Sequence, residues 1–401
     1  MDGEKHMKKL WQKNNEKLNS IVEVFETKND LSLDQKLIKY DLLASVAHVK
    51  MLNKIGILSN TELKKLRVGL DDIAKLNKQN KFNLELGDED MHTKIENYLT
   101  QKLAETGQKI HTGRSRNDQV LTVIRLYSKD ELLEIKSQLL SLIKSFKNFS
   151  QKYGQITMAG YTHMQKAMPS TIAIWADSFT ESVQDDLLVL ENAIKINDQS
   201  PLGSAAGYGS PIKLDRQYSA KLLGFKKVQE NPLYCQNSKG KIEAIIVAGL
   251  VQILLTINKF ASDVMLFTTS EFNFFTADSN VTTGSSIMPQ KKNLDLAELL
   301  RSKVHIVAGN FIQIVSLSSN LISGYNRDLQ DVKKPLIESL EVTLDSIKVT
   351  NILINSLTPN KQVLEQSLTE EIFATKKAFD QVKKGVPFRK AYQSVALRIK
   401  I

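Results

Sequence analysis

Cysteine is almost absent from this sequence: among 401 residues there is one, Cys235. No internal disulfide can form and no multi-cysteine metal cluster can assemble, which suits a reducing compartment, so a cytoplasmic location is expected. Proline is scarce and unevenly placed. There are eight, all at Pro169 or later. Arginine supplies only nine of the 54 basic residues, although the net charge is +10. Nucleic-acid readers cluster arginine and interleave aromatics. The lysines here are instead spread as solvated helix faces would have them, so no nucleic-acid partner is expected. The opening MDGEKHMKKLW has charge and no apolar stretch, so no secretory signal is expected. The longest apolar run, Ile242 to Ile257, contains Glu243 and Gln252. It falls short of the ~20 residues of a membrane span and reads as a core helix, with no membrane partner.

What is present is apolar surface with helical spacing. Hydrophobic residues make up 42% of the chain, enough for a large core and too much for a disordered one. From Asp118 to Tyr153 there is neither Pro nor Gly. Val120, Ile124, Tyr127, Leu132, Ile135, Leu139, Leu142, Phe146 and Phe149 recur at three- and four-residue steps, which predicts one amphipathic helix about 50 Å long. Further long helices are expected over 171–197, 241–270 and 296–322, and from Pro335 to Leu357. Strand-like alternation is scarce. Five such helices imply a bundle, shared between subunits. The first ~110 residues read as shorter helices, and the residues after Thr358-Pro359 as a small helical unit.

Four segments between these helices carry unusual chemistry. His111-Thr112-Gly113-Arg114-Ser115-Arg116-Asn117-Asp118-Gln119 packs two arginines against a helix start. Thr112, Ser115 or Asn117 could each cap that helix, but a cap does not account for two arginines, and donors at a helix N-terminus suit an anion. Gly160-Tyr161-Thr162-His163-Met164-Gln165 places a histidine between a glycine and a helix start, a position for a general acid or base. Thr282 to Asn293 combines Gly284, Ser285 and Ser286 with Lys291, Lys292 and Asn293, which suits a lid closing over a carboxylate. Tyr325 to Lys333 is a second dense cluster of donors.

HTGRSRNDQ, GYTHMQ, TGSSIMPQKKN and YNRDLQ, in this order, resemble the argininosuccinate lyases of the fumarase/aspartase superfamily. The likeness runs from about Leu10 to the end, where GVPFRKAY also fits, and Ala205-Ala206-Gly207-Tyr208 matches the bacterial branch. The resemblance implies an all-α subunit of three domains, here 1–111, 112–357 and 358–401. It implies a homotetramer with a central 20-helix core and active sites shared between subunits. The reaction it implies is reversible elimination of fumarate from argininosuccinate to leave L-arginine, the last step of arginine biosynthesis, with no cofactor and no metal.

By the same resemblance His163 and Ser285 are catalytic, with Ser285 the base and His163 the general acid. Arg116, Asn117, Thr162, Lys291 and Asn293 bind substrate carboxylates. Tyr325, Gln330 and Lys333 hold the arginine end. Asp90, His92 and Arg114 are further candidates near the site, as is Lys239, which stands where the family carries an arginine. Leu294 replaces a usual proline and is expected to loosen the lid's exit. An adenylosuccinate-type lyase would lack HTGRSRNDQ. A non-catalytic structural protein on this scaffold would have no need of every catalytic position.

Overall fold

The computed structural model describes residues 19–398. The stretch read for a secretory signal, and the start of the family likeness at Leu10, lie outside the described residues. The architecture is all-α. The helices are α1 (Ser20–Lys54), α2 (Asn60–Lys78), α3 (Met91–Leu103), α4 (Glu105–Gln108), α5 (Arg116–Tyr153), α6 (Ile172–Asn197), α7 (Arg216–Leu222), α8 (Pro232–Asn237), α9 (Lys241–Phe267), α10 (Asp295–Leu317), α11 (Lys333–Ser356), α12 (Lys361–Gln366), α13 (Ala374–Val382) and α14 (Phe388–Ala396). Local chemistry sets several starts. Ser59 and Glu62 form a reciprocal capping box on α2, Asp90 caps α3, and Asn231 caps α8 with Pro232 at its first position.

The five long helices expected from the proline-free runs are present. α5 has 38 residues, about 57 Å at the usual rise. Boundaries differ at α10 and α11. α10 stops at Leu317, where Asn320 soon takes a left-handed backbone. α11 begins at Lys333, so Pro335 lies within the first turn, whose amides need no helical acceptor. The first ~110 residues do hold shorter helices, α2, α3 and α4, but α1 before them is itself long, at 35 residues.

The chain divides into two compact units. One comprises the described part of Met1–Leu133 with Leu190–Ala248 and Val307–Leu340. Its core includes Leu37, Leu52, Leu66, Ile73, Leu121, Val247 and Leu336, all essentially inaccessible. The other comprises Glu134–Val189, Gly249–Ile306 and the described part of Glu341–Ile401. An aromatic cluster fills it: Trp175 packs on Phe149, Phe179, Phe260, Phe267 and Phe275, with ring centroids 5.3–6.1 Å apart. The Trp175 indole N–H donates to Asp263 Oδ2 at 2.9 Å.

α9 has 27 residues, and the stretch Pro232–Phe267 that contains it is long and apolar enough to cross a membrane by length and composition alone. The core helix of a soluble protein passes the same test, and half of its most apolar 18-residue window is already buried within the chain.

Among the described residues β-structure is limited to short pairs. The largest is an antiparallel ribbon of β1 (Thr157–Thr162) and β2 (Gln165–Thr171), with an irregularity in register between Gly160 and Tyr161. β3 (Gln199–Ser200) pairs parallel with β4 (Lys227–Val228). β5 (Phe275–Ala277) pairs antiparallel with β8 (Leu357–Pro359). β6 (Thr283–Gly284) pairs with β7 (Lys292–Asn293) across the glycine- and serine-rich segment.

Candidate active site

A cavity of about 260 Å³ lies in the first unit. Arg116 and Asn117 enter it from the start of α5, Lys239 from the turn between α8 and α9, and Tyr325, Gln330 and Lys333 from the segment before α11. Asp90 lines it as well. Seven residues marked in the sequence thus meet at one place. Arg114 and His92 do not line it; both are buried beneath it. Arg114 donates to Ser45 Oγ at 3.0 Å, and His92 Nδ1 lies 2.9 Å from Asp41 Oδ1.

The sequence reading missed the acidic wall. Glu26, Asp30, Asp34 and Glu89 all face the cavity. Lys333 Nζ lies 2.8 Å from Asp30 Oδ2 and 2.5 Å from Asp34 Oδ1. Burial alone would discharge that ammonium, but the two carboxylates outweigh it, and Lys333 titrates above the ordinary lysine range. Asp34 is pushed up by its own burial, with Lys333 opposing. Asp30 and Asp34 stand four residues apart on one face of α1, a spacing that could have drawn attention to them.

The other cations are also engaged. Arg116 grips Glu89 with two nitrogens at 2.6 and 3.2 Å, donates to Thr93 Oγ1 at 2.8 Å, and lies 3.4 Å from Asp90. Arg327 lies 3.4 Å from Glu26. The Gln330 amide donates to the Glu26 carbonyl at 2.9 Å. Lys239 differs: among the described residues it has no ion-pair partner, and its ammonium sits 5.5 Å over the Tyr325 ring. Burial, then the nearby Lys333 charge, bring it down to about 8.

Asp118 fixes the loop that carries Arg116 and Asn117. One carboxylate oxygen accepts from the Ser115 amide at 3.0 Å. The other accepts from the amides of Gly203 and Ala205, each at 2.9 Å. Full burial raises Asp118 to about 6, against the pull of these three amides. The HTGRSRNDQ segment is thereby tied to the 201–207 loop.

His163 and Ser285 lie in the second unit, on two exposed structures. His163 is not at a helix start, as expected, but at the tip of the β1–β2 hairpin. His163 (φ 52) and Met164 (φ 60) both adopt left-handed backbone, the signature of a two-residue type I′ turn. Asparagine and glycine normally fill such turns. Two side-chain-bearing residues here cost roughly 1 kcal/mol or more each. Thr162 pairs with Gln165 immediately beneath the tip. One register step further down, Tyr161 packs against Phe272 and Phe274, on the segment leading to the lid.

The lid runs from β6 to β7. Ser285 Oγ accepts from the backbone amides of Met288 at 3.1 Å and Ile287 at 3.4 Å. Thr283 bonds Asp295 at the lid's base, Lys291 is exposed, and Asn293 pairs with Thr283 in β7. Leu294 leads from the lid into α10. Its side chain is buried, and its carbonyl accepts from the Ala297 amide in the first turn of α10. Among the described residues no hydrogen bond joins His163 to Ser285.

Comparison with known proteins identifies the family. The chain belongs to the lyase family, whose profile matches residues 5–309, and is an enzyme of that class. It is 47% identical over 388 residues to an argininosuccinate lyase of Thermotoga neapolitana, covering 97% of each chain. It is 38% identical to one of Bacteroides fragilis, covering 98% of this chain and 87% of that one. Its fold is similar to that of an EDDS lyase solved with formate, at a TM-score of 0.78 and 23% identity, over 96% of this chain and 76% of that one. Within the lyase family, the chain therefore belongs to the argininosuccinate lyases of the fumarase/aspartase superfamily.

Proposed function

We propose that the chain eliminates fumarate from argininosuccinate to leave L-arginine, breaking a carbon–nitrogen bond in the cytoplasm with no cofactor or metal. The observation that carries this reading is the mixed charge of the cavity. Argininosuccinate has three carboxylates, an ammonium and a guanidinium. The cavity offers four carboxylates and an aspartate cap beside Arg116, Lys239, Arg327 and Lys333. Tyr325, Gln330 and Lys333 hold the arginine end, and Arg116, Asn117 and Lys239 take carboxylate oxygens.

The chemistry falls to the hairpin and the lid. Ser285 as alkoxide removes the proton next to a succinyl carboxylate. The two amides aimed at its Oγ stabilise that negative charge, as does Lys291 on the same lid. The resulting aci-carboxylate is bound by Lys291 and Asn293, with Thr162 on a second carboxylate. The carbon–nitrogen electron pair leaves with the guanidinium nitrogen, which takes a proton from His163. Fumarate and arginine result; the proton on Ser285 returns to solvent, and His163 regains a proton from solvent.

Each site is assembled from several chains of a homotetramer. Ile174, Leu188, Leu255, Leu299 and Ile312 on α6, α9 and α10 are all about half exposed or more in the single chain. Such uncovered faces on long helices suit burial against copies of the same chain. The direct test mixes the purified protein with argininosuccinate and follows fumarate by ultraviolet absorbance. No absorbance rise above a protein-free control would reject the reading.

A further inference from the structure

The turn that presents Lys239 to the cavity is held from below by two buried charges that line no part of the cavity themselves. Arg125 of α5 is wholly inaccessible, and its Nη2 donates to Ser238 Oγ at 3.0 Å. Among the described residues its Nε and Nη1 have no hydrogen-bond partner. Ser238 Oγ in turn donates to the Cys235 carbonyl at 2.8 Å. On the other side of Lys239, the Gly240 amide donates to Glu243 Oε2 at 2.6 Å, and Glu243 is also buried. Gly240 has φ +81, and a Cβ there would meet Ser318 Oγ at 2.0 Å, so only glycine fits the turn at this position. Two residues before Lys239, Asn237 accepts from the Gly324 amide at 2.8 Å and donates to Ser323 Oγ at 3.3 Å. That joins the Lys239 turn to the loop carrying Tyr325, over whose ring the Lys239 ammonium lies.

A buried guanidinium with one hydrogen bond is a poor device for stability, since an apolar side chain of like volume generally serves as well or better. Its contact with Ser238 gives it another use. We infer that Arg125 and Glu243 are positioning residues: through Ser238 and Gly240 they fix the turn so that Lys239 stands as the unpaired cation receiving a substrate carboxylate. This rests on the proposed function. The charged groups facing Lys239 are Lys333 from the start of α11, Glu243 from α9, and Asp30 and Asp34 from α1. Glu243 raises the ammonium's pKa, so it sets charge as well as place.

The test combines kinetics with titration of the intact protein. Arg125→Met should stay folded, with thermal unfolding at or above the wild-type temperature. It should raise KM for argininosuccinate by about tenfold or more while kcat stays within about threefold. Arg125→Lys, which can still donate to Ser238, should recover much of that KM. Glu243→Gln keeps an acceptor for Gly240 but removes a negative charge, so the Lys239 ammonium, followed by nitrogen NMR, should titrate at lower pH than in wild type. A folded Arg125→Met with wild-type KM overturns the inference, as does an unmoved Lys239 titration in Glu243→Gln. If Arg125→Met does not fold, Ser238→Ala removes only the acceptor hydroxyl, and a wild-type KM there overturns it equally. Failure of the wild-type protein to release fumarate would reject the proposed function instead, leaving the Lys239 titration to decide this inference by itself.

Discussion

His92 and Asp41 form a buried pair beneath the cavity, with Nδ1 and Oδ1 2.9 Å apart and both side chains almost wholly enclosed. Burial works against charge on each. The mutual attraction wins, with Asp90 and Asp34 adding to it at His92, so His92 is raised above the ordinary imidazole range and Asp41 is lowered. Asp34 also clamps Lys333, and Asp90 also caps α3 beside Arg116.

This pair makes stability depend on pH. A raised imidazole contributes stability that is fully present below its unfolded value of about 6.5 and is lost as pH rises through the folded value. Asp41 acts at the other end: its contribution is present above about pH 3.9 and is lost as pH falls through its lowered folded value. We therefore expect His92→Gln to cost about 1–3 kcal/mol near pH 6, with the gap from wild type narrowing toward about pH 9. Denaturant unfolding of both proteins at the two pH values measures this. A gap of constant size would show that His92 is not charged in the folded protein.

Lys239 makes the basic side of the pH–activity profile diagnostic. Its ammonium, brought down to about 8, is lost above that pH, and with it the grip on a carboxylate. KM for argininosuccinate should therefore rise above about pH 8, with kcat little changed. Lys239→Arg carries a cation that does not titrate in this range and can bind a carboxylate with two nitrogens. It should lower KM at neutral pH and abolish the alkaline rise. If the alkaline rise persists unchanged in Lys239→Arg, another group is responsible.

Ser285→Ala tests the base. The side chain stands on an exposed lid and fills no core volume, so unfolding temperature should be unaffected. The expected loss in kcat is about 10²–10⁴-fold or more. Retention of over about a tenth of wild-type turnover would remove Ser285 from the chemical step.

Subunit mixing tests the composite sites. His163→Asn and Ser285→Ala, each nearly inactive, are co-refolded in equal amounts. If a site draws His163 from one chain and Ser285 from another, both are intact with a chance of one half times one half. Roughly a quarter of wild-type activity should return. Mixed tetramers shown by tag pull-down but devoid of activity would place both residues on one chain.

Much of this protein is readable without coordinates. The long helices follow from apolar residues at three- and four-residue steps with no interrupting proline, and the burial of Leu132, Ile135, Leu139 and Leu142 on α5 reflects that spacing directly. The residues of HTGRSRNDQ and YNRDLQ are chemically unusual enough to mark themselves, and five of them meet in one cavity. The hairpin beneath His163 was not legible, because GYTHMQ lacks the glycine or asparagine that normally announces a type I′ turn, and pairing across it decides the conformation instead.

The sequence by itself determined the all-α class, the long helices, the segments that bear chemistry and the family they resemble. These are properties of local periodicity and of short motifs, and neither needs distant contacts. Only the tertiary structure decided which charges oppose which. Lys333 meets Asp34 across 299 residues of sequence, and Arg125 reaches Ser238 across 113. Such pairings depend on how helices from remote parts of the chain pack, and burial then fixes their protonation. Lys239 is unpaired for the same reason: packing gave both acidic residues within reach of Lys333 to that neighbour, and left Lys239 facing the cavity.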